Sequence, residues 1–177
     1  RDGCWYSMFW RFYAIGDADV AIFRDCDSRL SFREKYAVEQ WLISDKKVHI
    51  MRDHPWHDVA ILGGMWGLKK GILDDIKTKI EKISKDKVGY WQCDQEFLKS
   101  EYRRLLPHAM VHNEFIKAQR DRGAEFIKAE SFAIPFPKKR YKNQFIGQPY
   151  DENNKTLITL HGNMNKDTIT EYFELDS

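Results

Sequence analysis

Cysteine is scarce in this chain. The three residues, Cys4, Cys26 and Cys93, are an odd number without C-x-x-C spacing, which suggests neither a disulfide framework nor a zinc knuckle. A reducing compartment fits that usage, and a cytoplasmic location is expected. Long apolar runs are missing as well. Nothing approaches the roughly 18 to 20 residues of a membrane helix, so no transmembrane segment is expected, and no secretory signal pattern opens the chain. Charge of one sign is also absent: 29 Lys and Arg stand against 27 Asp and Glu, a net charge of +2 with no long block of either kind. Nothing in that balance calls for a nucleic acid partner. No internal repeat or low-complexity tract occurs. What remains is 177 residues, 42% hydrophobic and 32% charged, the composition of one globular domain with a real core.

The order of elements reads as α/β. Residues 5–15 place Trp5, Met8, Phe9, Phe12 and Ile15 at helical spacing with apolar residues on other sides too, which predicts a buried helix. Arg11 inside it is either a residue at the rim or one with a buried acidic partner. Val20 to Phe23 is a short apolar run of the kind found in a covered strand, ending at Arg24. Ser31-Phe32-Arg33-Glu34 is a capping box and opens a helix to about Ile43. "KKVHIM" reads as a second strand, "RDHPWHD" as a loop in which Arg52 and Asp53 could pair, and "VAILGGMWG" as a third strand starting near Val59. Ile72, Ile76, Ile80 and Ile83 mark an amphipathic helix, and a further helix follows over 93–106 with Asp94 as its cap. "AMVH" reads as a short strand, 132–154 as irregular, and Leu157 to Leu160 and "TITEYFEL" as late strands. Such alternation favours a mostly parallel sheet with helices on its faces, and ligands then sit outside the carboxyl ends of the strands.

Asp25 and Asp27 carry the sharpest chemistry. They stand two apart just past a strand, so extended geometry leans both side chains to one side, where oxygen ligands could share Mg²⁺ or Mn²⁺. The alternative is a turn that feeds the helix capped at Ser31. Arg24 and Arg29 flank the acids, which suits an anionic ligand held beside a cation. Lys138, Lys139 and Arg140 form a basic loop that could fold over a diphosphate or simply be solvated.

"IFRDCDSR", "HIMRDHPWH", "ILGGMWG" and "DQEFL", in this order and at these separations, resemble the core of A-type-fold (GT-A) nucleotide-sugar glycosyltransferases with a DxD motif. The group in question builds surface glycans in bacteria and large algal viruses, and the similarity spans roughly residues 5–150. It implies a Rossmann-like, mostly parallel sheet in a domain over 1–154, with 155–177 as a carboxyl-terminal strand and tail. It also implies a Mn²⁺- or Mg²⁺-dependent transfer of a sugar from a nucleoside-diphosphate donor, a UDP- or GDP-sugar, to a glycan acceptor. In that scheme Asp27 ligates the metal directly, Asp25 assists through water or the donor ribose, and His112 adds a nitrogen ligand, with His161 as the other choice. Gly63 and Gly64 let backbone approach the donor sugar, and Trp66 offers it an apolar face unless it only fills a corner. His54, Arg24 and Arg29 contact the donor. Asp94 and Gln95 reach donor hydroxyls or the reacting centre, although Asp94 as an N-cap needs no such role.

The chain departs from that family at its start. Only 24 residues precede Asp25, where the family places about two strand-helix units that hold the nucleotide base. The sequence is then the carboxyl-terminal part of a longer protein, or binds the base otherwise, or has lost donor binding. A non-catalytic, glycosyltransferase-like binding or scaffold module is the alternative function. A metal-dependent phosphoesterase is a weaker rival, since it wants more clustered His and Asp ligands.

Overall fold

A computed structural model describes residues 5–86 and 92–161. The expected tail strand "TITEYFEL" lies outside the described residues. Four strands, β1 (Val20–Arg24), β2 (Val48–Arg52), β3 (Met65–Lys69) and β4 (Ala109–Asn113), form one sheet in the order β1-β3-β2-β4. Helices α1 (Phe32–Leu42), α2 (Ile76–Asp86), α3 (Cys93–Leu105) and α4 (Ile116–Asp121) complete a mixed α/β architecture.

The expectation of a mostly parallel sheet is corrected. Only β2 and β4 pair in parallel, whereas β3 runs antiparallel to both β1 and β2. The cause is the connection between β2 and β3, which contains no helix to carry the chain back across a sheet face, so β3 returns in the opposite direction. The third strand also starts later than Val59. The carbonyls of Val59 and Ala60 accept hydrogen bonds from the Arg52 guanidinium, the first at 2.9 Å, and are therefore not free for a ladder. Near the end, Leu157 to Leu160 forms no strand, and the local pairing is a single bridge between Tyr150 and Thr156.

One face of the sheet carries the larger core. Phe23, Trp66, Val48, Ile50 and Val111 meet α2, α3 and an opening 3-10 helix, Trp5–Ala14. In a 3-10 helix side chains three apart stack in one row. Phe9, Phe12 and Ile15 are that row, and all three are buried while Trp10 points out to solvent. The other face is covered by α1 and by the segment around Phe136 and Ile146, packed on Met51 and Met65. Ser31 caps α1 as its sequence predicts, its Oγ accepting from the Glu34 N–H at 3.1 Å. Gly67 lets α1 come close, since a β-carbon there would sit 3.3 Å from the Trp41 ring and 2.9 Å from the Ala21 carbonyl. β1 is one of the two edge strands. Ala21 and Phe23 point into the large core, and Val20 and Ile22 on its other side stay exposed.

Candidate functional site

Asp25, Asp94, Gly63 and Gly64, all singled out in the sequence, meet beyond the end of β1, with Arg11 among them. Asp25 and Asp27 lie in the turn that leaves β1, and both are exposed. Arg11 Nη1 donates to Asp25 Oδ1 at 2.6 Å, so the arginine inside the apolar 3-10 helix does have an acidic partner, at the rim rather than in the core. Gly63 and Gly64, just before β3, pass directly against the acids: a β-carbon on Gly64 would overlap the Asp25 carboxylate, and one on Gly63 would stand 2.5 Å from Asp94 Oδ2 and 4.0 Å from Arg11 Nη1. Here the glycines are required by close approach.

Asp94 is not the cap of α3. The N-cap is Gln92, held at φ 67°, and Asp94 sits in the first helical turn, where its Oδ1 accepts from the Gln95 N–H at 2.9 Å. It is buried. Burial raises its pKa above the usual carboxylate range and the charge of Asp25 adds to this, while Arg11 and the Gln95 N–H hold it down. Gln95 is half-buried beside it. Asp27 behaves in the same way: partial burial of its carboxyl, and then the like charge of Asp25, push its pKa up against the opposing pull of its own backbone N–H, Arg29 and Arg11. Asp25, Asp27 and Asp94 thus form an acidic corner for which Arg11 and Arg29 are the named compensating cations. A divalent cation held by Asp25 and Asp27 fits that imbalance. Among the described residues, no group of three His, Cys, Asp or Glu side chains is arranged to hold a metal.

Several expected contributors lie elsewhere. His112 is not beside the acids: it is fully buried on the α1 face, where its Nδ1 is 2.8 Å from His49 Nε2 and its Nε2 is 3.1 Å from Gln40 Oε1. Both ring nitrogens are thereby committed, and burial lowers its pKa to about 4. Trp66 is enclosed between Phe12 and Phe23, with ring centroids 5.5 and 4.8 Å away, so its faces are filled by protein and not open to a sugar. His54 is buried too, against Phe145, with its Nε2 3.1 Å from the Thr159 carbonyl. His161, the other choice, is exposed at the end of the described residues.

The "RDHPWH" loop is a structural hub. Arg52 and Asp53 do not pair with each other. Arg52 forms a forked pair with Glu130 at 2.6 and 2.8 Å, both side chains wholly buried, and the Tyr102 hydroxyl donates to the same carboxylate. Asp53 is clasped by Arg33 at 2.9 Å, by Arg140 at 2.7 Å and by the Ile146 N–H at 3.0 Å. Arg140 is therefore a structural cation. His57, whose Nδ1 accepts from the Asp53 N–H, has its pKa lowered to about 3 by burial and by neighbouring His54, Arg52 and Arg140.

Arg24 and Arg29 do flank the acids, each already engaged. Arg24 pairs with Glu34 and donates to the carbonyls of Phe23 and Gly64, and Arg29 donates to Asn154 Oδ1 at 2.8 Å while lying over the Tyr150 ring. Both line a cavity of about 1000 Å³ between the exposed side of β1, α1 and the segment 138–150. That segment is tied to the acids, because the Tyr150 N–H donates to the Asp27 carbonyl at 2.9 Å. Sequence reasoning missed Tyr150, Glu130 and His49. Only the isolated Arg11 in an apolar run was visible beforehand as a charge in need of a partner. Among family models, curated proteins and solved structures, none matches this chain.

Proposed function

We propose that this chain is a metal-dependent glycosyltransferase, moving a sugar from a nucleoside-diphosphate donor to a glycan acceptor on a GT-A-like sheet. The observation that carries the proposal is the packing of the Gly63-Gly64 backbone against the carboxylates of Asp94 and Asp25, with Arg11 beside both. Motifs far apart in the chain, each tied to donor or metal in the family that the sequence resembles, share one corner at a strand end.

In this reading Asp25 and Asp27 hold Mn²⁺ or Mg²⁺, which supplies Lewis-acid stabilisation of the departing diphosphate. Arg11 is a positioning residue that fixes one oxygen of Asp25 and thereby its rotamer. Gly63 and Gly64 let the carboxylates of Asp94 and Asp25 lie against the backbone, where side chains would displace them. The raised pKa of Asp94 suits a carboxyl that accepts a hydrogen bond from a sugar hydroxyl or exchanges a proton with it. Arg29 adds a cation for the diphosphate.

Trp66 in the core and His112 in a separate pair favour the second reading, a non-catalytic binding module, because two expected contributors are absent from the corner. Thermal melting separates the two. Mn²⁺ with UDP or GDP raises the melting temperature of a glycosyltransferase of this kind, and Asp27→Asn abolishes the rise. A wild-type melting curve indifferent to both additions favours the binding module.

A further inference from the structure

The cavity beside β1 is built for more than water. Its walls hold apolar side chains left open to solvent in a way cores avoid: Leu30 is 80% exposed, Phe32 73% and Tyr141 67%. Cations are set among them. Three of the six are neutralised, since Arg24 pairs with Glu34, Arg33 with Asp53 and Lys35 with Glu39. Lys138 and Lys139 are different, because among the described residues neither has an ion pair, and Arg29 acts on the nearby Asp27 only through its charge, without a salt bridge. Arg29 donates to the Asn154 amide oxygen and lies over the Tyr150 ring, and Lys138 lies over the Tyr36 ring. One further donor is unsatisfied in the same wall: Arg24 Nη2 is buried without an acceptor. Unpaired cations beside open apolar walls complement a ligand that is anionic at one end and greasy at the other.

We infer that this cavity binds an amphiphilic phosphate, namely the phosphate group and adjoining hydrocarbon of a glycan acceptor carried on a lipid chain. Lys138 and Lys139 receive the phosphate, and Leu30, Phe32 and Tyr141 receive the chain. The position suits an acceptor: Arg24 and Arg29 bracket Asp25 and Asp27 in sequence, and Tyr150 in the cavity wall is hydrogen-bonded to the Asp27 carbonyl. A cavity of about 1000 Å³ is at the upper end for small-molecule sites, and its concave shape favours a ligand over a flat protein partner. The inference rests on the glycosyltransferase proposal for the word acceptor, but binding is read without donor or metal, so the two fail separately.

The test is titration calorimetry with farnesyl phosphate, held below its aggregation threshold, against farnesol and inorganic phosphate. Farnesyl phosphate binds wild-type protein with saturation, each half-ligand binds at least about tenfold more weakly, and added salt weakens the complex. Lys138→Glu with Lys139→Glu, both on the exposed surface, raises the Kd at least about tenfold, and Leu30→Ser with Phe32→Ser does the same. Unchanged melting temperatures exclude misfolding as the cause. Equal affinity for farnesol overturns the inference in favour of a merely apolar surface, and equal affinity for inorganic phosphate reduces it to an anion site. Absence of farnesyl phosphate binding, or an unchanged Kd in either double variant, also overturns it. Failure here beside an intact Mn²⁺-nucleotide response leaves the glycosyltransferase proposal standing, and the reverse pattern removes only that proposal.

Discussion

The α-carbon of Gly64 lies so close to the Asp25 carboxylate that a β-carbon there would overlap it, and Gly63 stands in the same relation to Asp94. The two glycines nevertheless face acids of different freedom. Asp25 is exposed and can shift at the cost of its contact with Arg11, whereas Asp94 is buried. Gly64→Ala is therefore expected to cost about 1 kcal/mol and Gly63→Ala about 2 kcal/mol or more in urea unfolding. Both substitutions should remove the thermal response to Mn²⁺ and nucleotide. Equal stability losses, with that response intact, would show that the glycines are not shaping the acidic corner.

Arg52 and Glu130 form a wholly buried pair with Tyr102 as a third member. Removing one partner strands the other charge, so Arg52→Met is expected to destabilise by about 3–5 kcal/mol. Replacing both, as Arg52→Met with Glu130→Met, should recover part of that loss. Chemical denaturation of wild type, Arg52→Met and the double variant provides the comparison, and a double variant no more stable than Arg52→Met would contradict this account.

Acid should weaken the fold through the histidine pair on the α1 face. With His112 Nε2–H donating to Gln40, its Nδ1 accepts from His49 Nε2–H, and both rings stay neutral. Burial holds the His49 pKa well below 6.5 and that of His112 at about 4. Between pH 6.5 and 4 the unfolded chain binds protons that the folded chain refuses, so stability is complete above that window and falls as pH drops through it. For His112 alone the loss amounts to about 2 kcal/mol by pH 5. Urea midpoints at pH 7.5 and 5 measure it. His112→Gln should flatten the slope, and a slope unchanged in that variant would assign the acid sensitivity elsewhere.

Trp66 separates a core role from a sugar platform. Trp66→Ala is expected to destabilise by about 3–5 kcal/mol through the cavity left between Phe12 and Phe23. Trp66→Phe should cost much less, since the buried Nε1–H it removes has no hydrogen-bond partner. Loss of ligand response without loss of stability in Trp66→Ala would return the tryptophan to the site.

The local signals carried far. The box at Ser31 and Glu34 set the start of α1, the apolar run before Arg24 set β1, and the glycines before Met65-Trp66 marked a close approach of backbone. Each depends on neighbours in sequence. Strand direction was not legible, because alternation of strand and helix says nothing about the helix-free segment that returns β3 antiparallel. Partner choice among buried charges was not legible either. Arg52 sits next to Asp53 in the chain but binds Glu130, 78 residues away, because consecutive side chains of an extended segment point to opposite sides.

By itself, then, the sequence determined an α/β domain with its acids at a strand end, since caps, apolar runs and glycines act over a few residues. Only the tertiary structure decided that Asp25 and Asp94 share a corner while His112 and Trp66 do not. The reason is that the sheet puts His112 on its opposite face, while Trp66, on the same face as Arg11 and Asp94, is drawn into the core between Phe12 and Phe23 because burial takes its apolar ring out of water.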